Sequence, residues 1–173
     1  VTTQQPVKTT KPATTTKKAT AKTTTKKPVQ TAKTPTTTKP SVEQPTYDGS
    51  FTSEVLRLVN IERANAGLAP LGTSNALNQA AQVRATELIQ LFAHERPNGR
   101  SIWTVLDEYG ISRRTSGENI AVGQTTPAQV VEGWMNSPGH RANILNPNFT
   151  KLGVGYAKTN TGYKHHWAQM FIG

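Results

Sequence analysis

Apolar residues recur from position 51 onward, at first every three to four residues and later every two. The first stripe has helical spacing, starts at Phe51 and ends before Ala66-Gly67, where glycine suits the position just after a helix. A second stripe follows Ser74, a favourable N-cap residue, and predicts a helix that runs out near His94. Its apolar positions are Leu77, Ala80, Ala81, Ala85, Leu88 and Phe92.

Two shorter helices are predicted further along the chain. Residues 101–109 fit one helix, closed by Gly110. Thr126-Pro127 starts the other, because it joins a capping residue to a proline at the first helical position. The buried face of this last helix is predicted to be Val130, Val131 and Trp134.

A period of two predicts three strands. They are expected at residues 118–122, 152–157 and 163–172, and residues 159–162 are expected to join the last two as a hairpin. Helices first and an antiparallel hairpin last predict an α+β domain, with helices packed on a small sheet.

Residues 1–46 have a different composition, rich in Thr, Lys, Pro and Ala. They lack Leu, Ile, Met, Phe, Tyr and Trp, and their nine lysines against Glu43 give +8 of the chain's net charge of +10. Such a segment buries too little apolar surface to fold, so it predicts a disordered tail or spacer at 1–46 before one domain at 47–173. The tail is either a solvated linker or an arm that binds an anionic cell-wall polymer or membrane surface.

Composition also excludes several classes of function. The domain carries only +2, which argues against a nucleic-acid-binding fold, and the absence of cysteine excludes disulfides and thiolate chemistry. No apolar run reaches the roughly 18 residues of a transmembrane segment. No signal peptide is recognised either, so we expect a cytoplasmic protein or a secreted one already processed.

Five motifs stand in a fixed order between residues 51 and 173. They are Asn60-x-Glu62-Arg63, His94-x-x-Pro97-x-Gly99, Gly117-Glu118-Asn119-Ile120-Ala121, Ser137-Pro138-Gly139-His140-Arg141-Ala142-Asn143-Ile144-Leu145 and Trp167-x-Gln169-x-Phe171. This set resembles the CAP superfamily of cysteine-rich secretory, antigen 5 and pathogenesis-related class 1 proteins (the SCP-like domain), in its cysteine-free bacterial form. The resemblance implies an α-β-α sandwich and an extracellular location. The composition of residues 1–46 independently suits a spacer that faces the cell wall.

The resemblance also implies a cleft of two histidines and two acids. His94, His140 and Glu118 match three of these positions, but the second acid falls on Ser137. Glu132 is the nearest substitute, although on a helix it would point about 140° away from residue 137. Asn119, Arg141 and Trp134 are expected to support the cleft structurally.

Two interpretations of the cleft remain open. Two imidazoles and a carboxylate could hold Zn²⁺ or another divalent metal, or they could form a hydrogen-bonded network that braces the helix ends. Ser137 beside His140 suggests a nucleophile and base, yet Ser137-Pro138 is the signature of a helix start, with the hydroxyl engaged as a cap. His165 and His166 are expected at or near the surface, on opposite faces of the last strand.

The leading hypothesis is a secreted or cell-surface domain, not an enzyme, whose cleft binds a divalent metal, a small amphipathic ligand, or both. The resemblance adds a lipid or sterol-like molecule as a candidate ligand. The alternatives are a metal- or histidine-dependent extracellular hydrolase, and an adhesion or host-facing module without a small ligand.

Overall fold

The structure is a computed structural model that describes residues 51–173. The predicted tail and its boundary at Tyr47 lie outside these residues. The elements are α1 Phe51–Asn65, α2 Asn75–Glu87, α3 Thr104–Glu108, β1 Ser116–Val122, α4 Pro127–Met135, α5 Pro138–Ile144, β2 Lys151–Lys158 and β3 His165–Ile172. No helix in this range is long and apolar enough to cross a membrane.

The three strands form one antiparallel sheet in the order β1-β3-β2. The central strand β3 pairs with β1 from Ser116↔Ile172 to Val122↔His166, and with β2 from Lys151↔Ile172 to Lys158↔His165. Both β1 and β2 are therefore edge strands, and each must satisfy the backbone groups on its outer side.

The two faces of the sheet are covered by different helices. One face packs with α1, α4 and α5 around a core that includes Trp134 and Trp167. The other face contributes residues such as Met170 and Ala168 to clusters with α2 and α3. This arrangement confirms the predicted α+β class and the α-β-α sandwich.

Helix α2 lies unusually close to β2, and glycine makes this possible. A Cβ on Gly153 would clash with the backbone of Leu77, and one on Gly155 with the backbone of Ala81. Gln82 also pairs with the outer edge of β2, because its amide donates to the Tyr156 carbonyl at 2.9 Å and accepts from the Tyr156 N–H at 3.1 Å. An amide of α2 thus takes the role of a neighbouring strand.

The predicted helix boundaries are mostly confirmed. Ser74 accepts a hydrogen bond from the Leu77 N–H, and Thr126 accepts one from the Gln129 N–H, so both are N-caps. Gly67 follows α1 with a φ of 73°, the left-handed conformation that glycine adopts without strain.

Three expectations were wrong. Helix α2 ends at Glu87 rather than near His94, and Phe92 is 52% exposed, because the chain turns back so that the Ala93 carbonyl reaches Arg84. The third helix is also shorter than residues 101–109 and begins at Thr104. His166 is buried, at 6% exposure, because its strand face is covered by the α2 layer.

Candidate functional site

The site begins with a buried carboxylate on edge strand β1. Glu118 points towards the α2 layer, and its side chain is 1% exposed. Its Oε1 accepts from Nε of Arg84 at 2.8 Å, and its Oε2 lies 2.8 Å from Nδ1 of His94. Both carboxylate oxygens are therefore engaged, one by a buried guanidinium and the other by an imidazole.

His94 stands at the opening of this buried pair. Its side chain is 57% exposed, although Nδ1 faces Glu118. A carboxylate offers only acceptors, so the proton in this contact belongs to Nδ1 and the lone pair of the neutral ring lies on Nε2. A carboxylate that orients an imidazole in this way is found behind metal ligands and behind general bases.

The loop that carries His94 is held by a network of arginines. Arg84 donates to the Ala93 carbonyl at 3.0 Å and also pairs with Glu87. Arg96 donates to Glu87 and Glu108, and these bonds, led by the one to Glu87, raise the pKa of Arg96. The loop is thereby tied to both α2 and α3, which fixes the backbone on either side of His94.

His140 approaches from the opposite layer of the sandwich, on α5. Its carbonyl accepts from Nδ2 of Asn119, and Asn143 donates both to the Glu118 carbonyl at 3.2 Å and to Oδ1 of Asn119 at 2.8 Å. These bonds fasten α5 to the outer edge of β1. Burial lowers the pKa of His140, and a charge on His94, when that ring is protonated, lowers it further.

Within residues 51–173, neither candidate for the second acid position has a side-chain hydrogen bond to His94, Glu118 or His140. Glu132 is exposed and lines a shallow groove between α1 and α4, together with Glu62. Among residues 51–173 it has no side-chain hydrogen bond or ion pair that would join it to the histidines. Ser137 occupies the N-cap position of α5, but its hydroxyl makes no capping bond, so the expectation of an engaged hydroxyl was wrong.

The predicted support residues have separate roles. Trp134 is buried and donates from Nε1 to the Ile120 carbonyl at 3.3 Å, so with Asn143 it satisfies carbonyls on the outer edge of β1. Asn119 is buried and bonds to Gln169 as well as to α5. Arg141 is exposed and lies on the outer surface of α5.

The donor set at this edge fits a metal only in part. Within the described part of the chain, no three His, Asp or Glu side chains are grouped so that they could hold a metal ion together. Glu118 cannot serve as a direct ligand without giving up Arg84 or His94. The groups that could hold a cation are therefore the two imidazoles, with water completing the coordination.

Sequence reasoning missed Arg84. It lies on the apolar stripe of α2, three and four residues after Ala81 and Ala80, and is fully buried. A charged residue in the middle of such a stripe must find a buried partner, and this signal was available in the sequence.

Comparison with known proteins gives the site its context. Residues 56–171 match the family model described as the cysteine-rich secretory protein family, CAP. YkwD, an uncharacterized protein of Bacillus subtilis (strain 168), is 42% identical over 131 residues, which are 75% of this chain and 49% of that protein. This chain therefore spans about half the length of that relative.

Solved structures show the same fold. An extracellular protein of Bacillus anthracis that contains an SCP domain matches with a TM-score of 0.63 and 29% identity, over 70% of this chain and 39% of that one. An outer surface protein of Borrelia burgdorferi matches with a TM-score of 0.61 and 23% identity, over 68% of this chain and 88% of that one. From the family match and these relatives, the chain belongs to the cysteine-rich secretory protein (CAP) family.

Proposed function

We propose that this chain is an exported CAP-domain protein that binds a divalent cation through His94 and His140. The observation that carries the proposal is the contact between Nδ1 of His94 and buried Glu118, which leaves the Nε2 lone pair directed away from the carboxylate. An imidazole binds metal through such a lone pair.

His140 supplies the second nitrogen. Burial, with a smaller contribution from His94, lowers the pKa of His140, which favours the neutral form that a metal ligand requires. Imidazole suits Zn²⁺, which accepts two histidines with water in the remaining positions. Glu118 orients His94 through Nδ1 and does not coordinate the cation itself.

Calorimetric titration of Zn²⁺ into the full 173-residue chain at about pH 7.5 tests this proposal. We expect one saturable site, which disappears in the His94→Ala/His140→Ala double variant. His165→Ala is the matched control, because its Nδ1 bonds to the Tyr156 hydroxyl at 2.7 Å. Equal binding by wild type and the double variant would contradict the proposal, and so would no binding by folded wild type.

An amphipathic ligand is the second candidate function, and a groove between α1 and α4 favours it. The groove is lined mainly by the apolar residues Leu58, Ile61, Ala128, Val131 and Met135, with Glu62 and Glu132 at its polar side. A lipid or sterol-like molecule would place its apolar body between the helices. Displacement of a fluorescent fatty acid, compared between wild type and Ala128→Trp, tests this candidate, and equal displacement would count against it.

Export and surface association complete the proposal. The two solved relatives described above are an extracellular and an outer surface protein, which supports an extracellular location for this chain. Nine lysines in residues 1–46 suit an anionic cell-wall polymer or membrane surface. Replacing these lysines with glutamine in the full chain should abolish salt-sensitive binding to an anionic cell-wall preparation. Unchanged binding would show that the tail does not carry the interaction.

A further inference from the structure

Arg84 makes three side-chain contacts around the candidate site. Its guanidinium is fully buried and donates to Glu118, to Glu87 and to the Ala93 carbonyl. We propose that Arg84 is a positioning residue that orients the side chain of residue 118 and the backbone before His94, so that Nδ1 of His94 faces Glu118 and carries the proton. This inference rests on the proposed cation site, because it explains how one of its imidazoles is kept in the tautomer that binds metal.

The contacts that run from Arg84 through Glu118 to His94 are called the relay below. Its first step is the contact between Arg84 and Glu118. A guanidinium carries five N–H donors and no acceptor. Whatever atom faces Nε of Arg84 at 2.8 Å must therefore be an acceptor, since a donor there would leave a buried polar contact unsatisfied. Arg84 thus requires an acceptor at this atom of residue 118, which the carboxylate supplies, and holds that atom in place.

The second step passes from Glu118 to His94. A carboxylate has an acceptor at both ends, so Oε2 remains an acceptor once Oε1 is bonded to Arg84. Nδ1 of His94 lies 2.8 Å from Oε2 and must donate. The neutral ring then carries its lone pair on Nε2.

The third contact fixes the position of the imidazole. Arg84 holds the carbonyl of Ala93, the residue immediately before His94, at 3.0 Å. One guanidinium therefore holds both the partner of the ring and the backbone that carries it, while Glu87 anchors the far side of the guanidinium at 2.6 Å. A rotation of His94 would have to break its bond to Glu118.

Glu118→Gln tests the polarity of the relay, because an amide has the shape of a carboxylate but only one acceptor atom. Arg84 must face the amide oxygen, so the amide N–H₂ must face Nδ1 of His94. Nδ1 then becomes the acceptor and the proton moves to Nε2. We expect the tautomer of His94 to switch and Zn²⁺ affinity to fall by about 10- to 100-fold, the range for the loss of such orienting partners.

Combining this change with a change at Arg84 separates the role of Arg84 from that of Glu118. In Arg84→Met/Glu118→Gln no donor opposes the amide, so the amide can turn and its oxygen can accept from Nδ1–H. We expect this double variant to recover the wild-type tautomer. Arg84→Lys/Glu118→Gln keeps a donor and should retain the switched tautomer. Arg113→Met is the control for loss of an arginine, because the guanidinium of Arg113 pairs with Asp107.

The measurement is long-range ¹H–¹⁵N correlation of the imidazoles in the metal-free full chain at about pH 8, where histidine is neutral. The chain has four histidines, so assignment by single substitutions is practical. An unchanged tautomer in Glu118→Gln would overturn the relay, since that variant keeps Arg84 and needs no rescue to be interpreted. A switched tautomer that persists in a folded Arg84→Met/Glu118→Gln protein would overturn the role of Arg84.

The His94 tautomer and the Zn²⁺ affinity are measured in separate experiments. The relay and the proposed cation site can therefore be refuted independently. If the tautomer switches as expected but wild type binds no Zn²⁺, the relay stands and the proposed function falls. If wild type binds Zn²⁺ but Glu118→Gln leaves the tautomer unchanged, the cation site stands and the relay falls.

Discussion

Gly155→Ala should strongly destabilise the domain, because β2 and α2 approach each other without room for a side chain. An ideal Cβ at position 155 would lie 2.7 Å from the Gln82 nitrogen and closer still to the Ala81 carbonyl. Non-bonded carbon contacts favour about 3.5–4.0 Å, so α2 would have to move by about 1 Å. The groups in the way belong to helix backbone and cannot rotate aside.

The expected magnitude has two parts. Overpacking of a core costs about 1–3 kcal/mol, and the upper end applies because backbone meets backbone. The same movement would lengthen the two hydrogen bonds between Gln82 and Tyr156, each worth about 1 kcal/mol. The sum is up to about 5 kcal/mol, a large part of the roughly 5–15 kcal/mol that stabilises a typical domain.

Urea and thermal unfolding of the full chain, followed by circular dichroism, would measure this effect. We expect a thermal midpoint lower by about 10 °C or more. Gly133→Ala is the matched control, because Gly133 lies in α4 and a Cβ there would meet only Gln124, at 3.9 Å. That control should be neutral or stabilising by up to about 1 kcal/mol. Equal midpoints for Gly155→Ala and wild type would refute the close-packing argument.

Two further predictions concern buried groups. Arg63→Met should lower the free energy of unfolding by about 2–4 kcal/mol, because buried Arg63 donates to the carbonyls of Ala69, Ile144 and Asn146. The loss is measured as a lower urea midpoint. A loss below about 1 kcal/mol would show that water replaces these bonds. Acidification should also destabilise the domain, since burial lowers the pKa of His166 below that of the unfolded chain. The unfolded chain then binds protons first, so stability is complete above about pH 6.5 and falls as the pH drops through the lower folded-state value. His166→Gln should reduce this loss of stability at low pH, and His140 should account for part of the loss that remains. Identical profiles of stability against pH for the variant and the wild type would contradict the assignment to His166.

The sequence predicted those parts of the fold that depend on local pattern. The caps at Ser74 and Thr126, the turn at Gly67 and the presence of strand β3 each follow from a few neighbouring residues. The end of α2 does not, because its apolar stripe continues to Phe92 while the helix stops at Glu87. A hydrogen bond between Arg84 and Ala93, nine residues apart, determines where the chain turns, and periodicity carries no information about it.

The same limit applies to the site. Motif order predicted His94, Glu118 and His140, and the structure brings Glu118 into contact with His94. The order of the motifs did not predict that Glu118 would be paired with an arginine, or that the Ser137 hydroxyl would have no capping bond. Both facts depend on how separate elements pack together. Helix α2 packs on the face of the sheet that carries Glu118 and Ile120, and α5 bonds to the outer edge of β1 through Asn143.

Packing and chemistry at this site are coupled through α2. Gly155 allows α2 to approach the sheet closely, and that approach is what lets Arg84 reach Glu118 on β1 at 2.8 Å. A displacement of about 1 Å would lengthen this bond beyond the usual range for charge-assisted hydrogen bonds, about 2.7–2.9 Å. In the Glu118→Gln background, Gly155→Ala should therefore weaken the tautomer switch of His94 as well as the stability of the domain, although residue 155 lies on the opposite edge strand. A Gly155→Ala/Glu118→Gln protein that lost stability but kept the fully switched tautomer would show that Arg84 follows residue 118 independently of the helix.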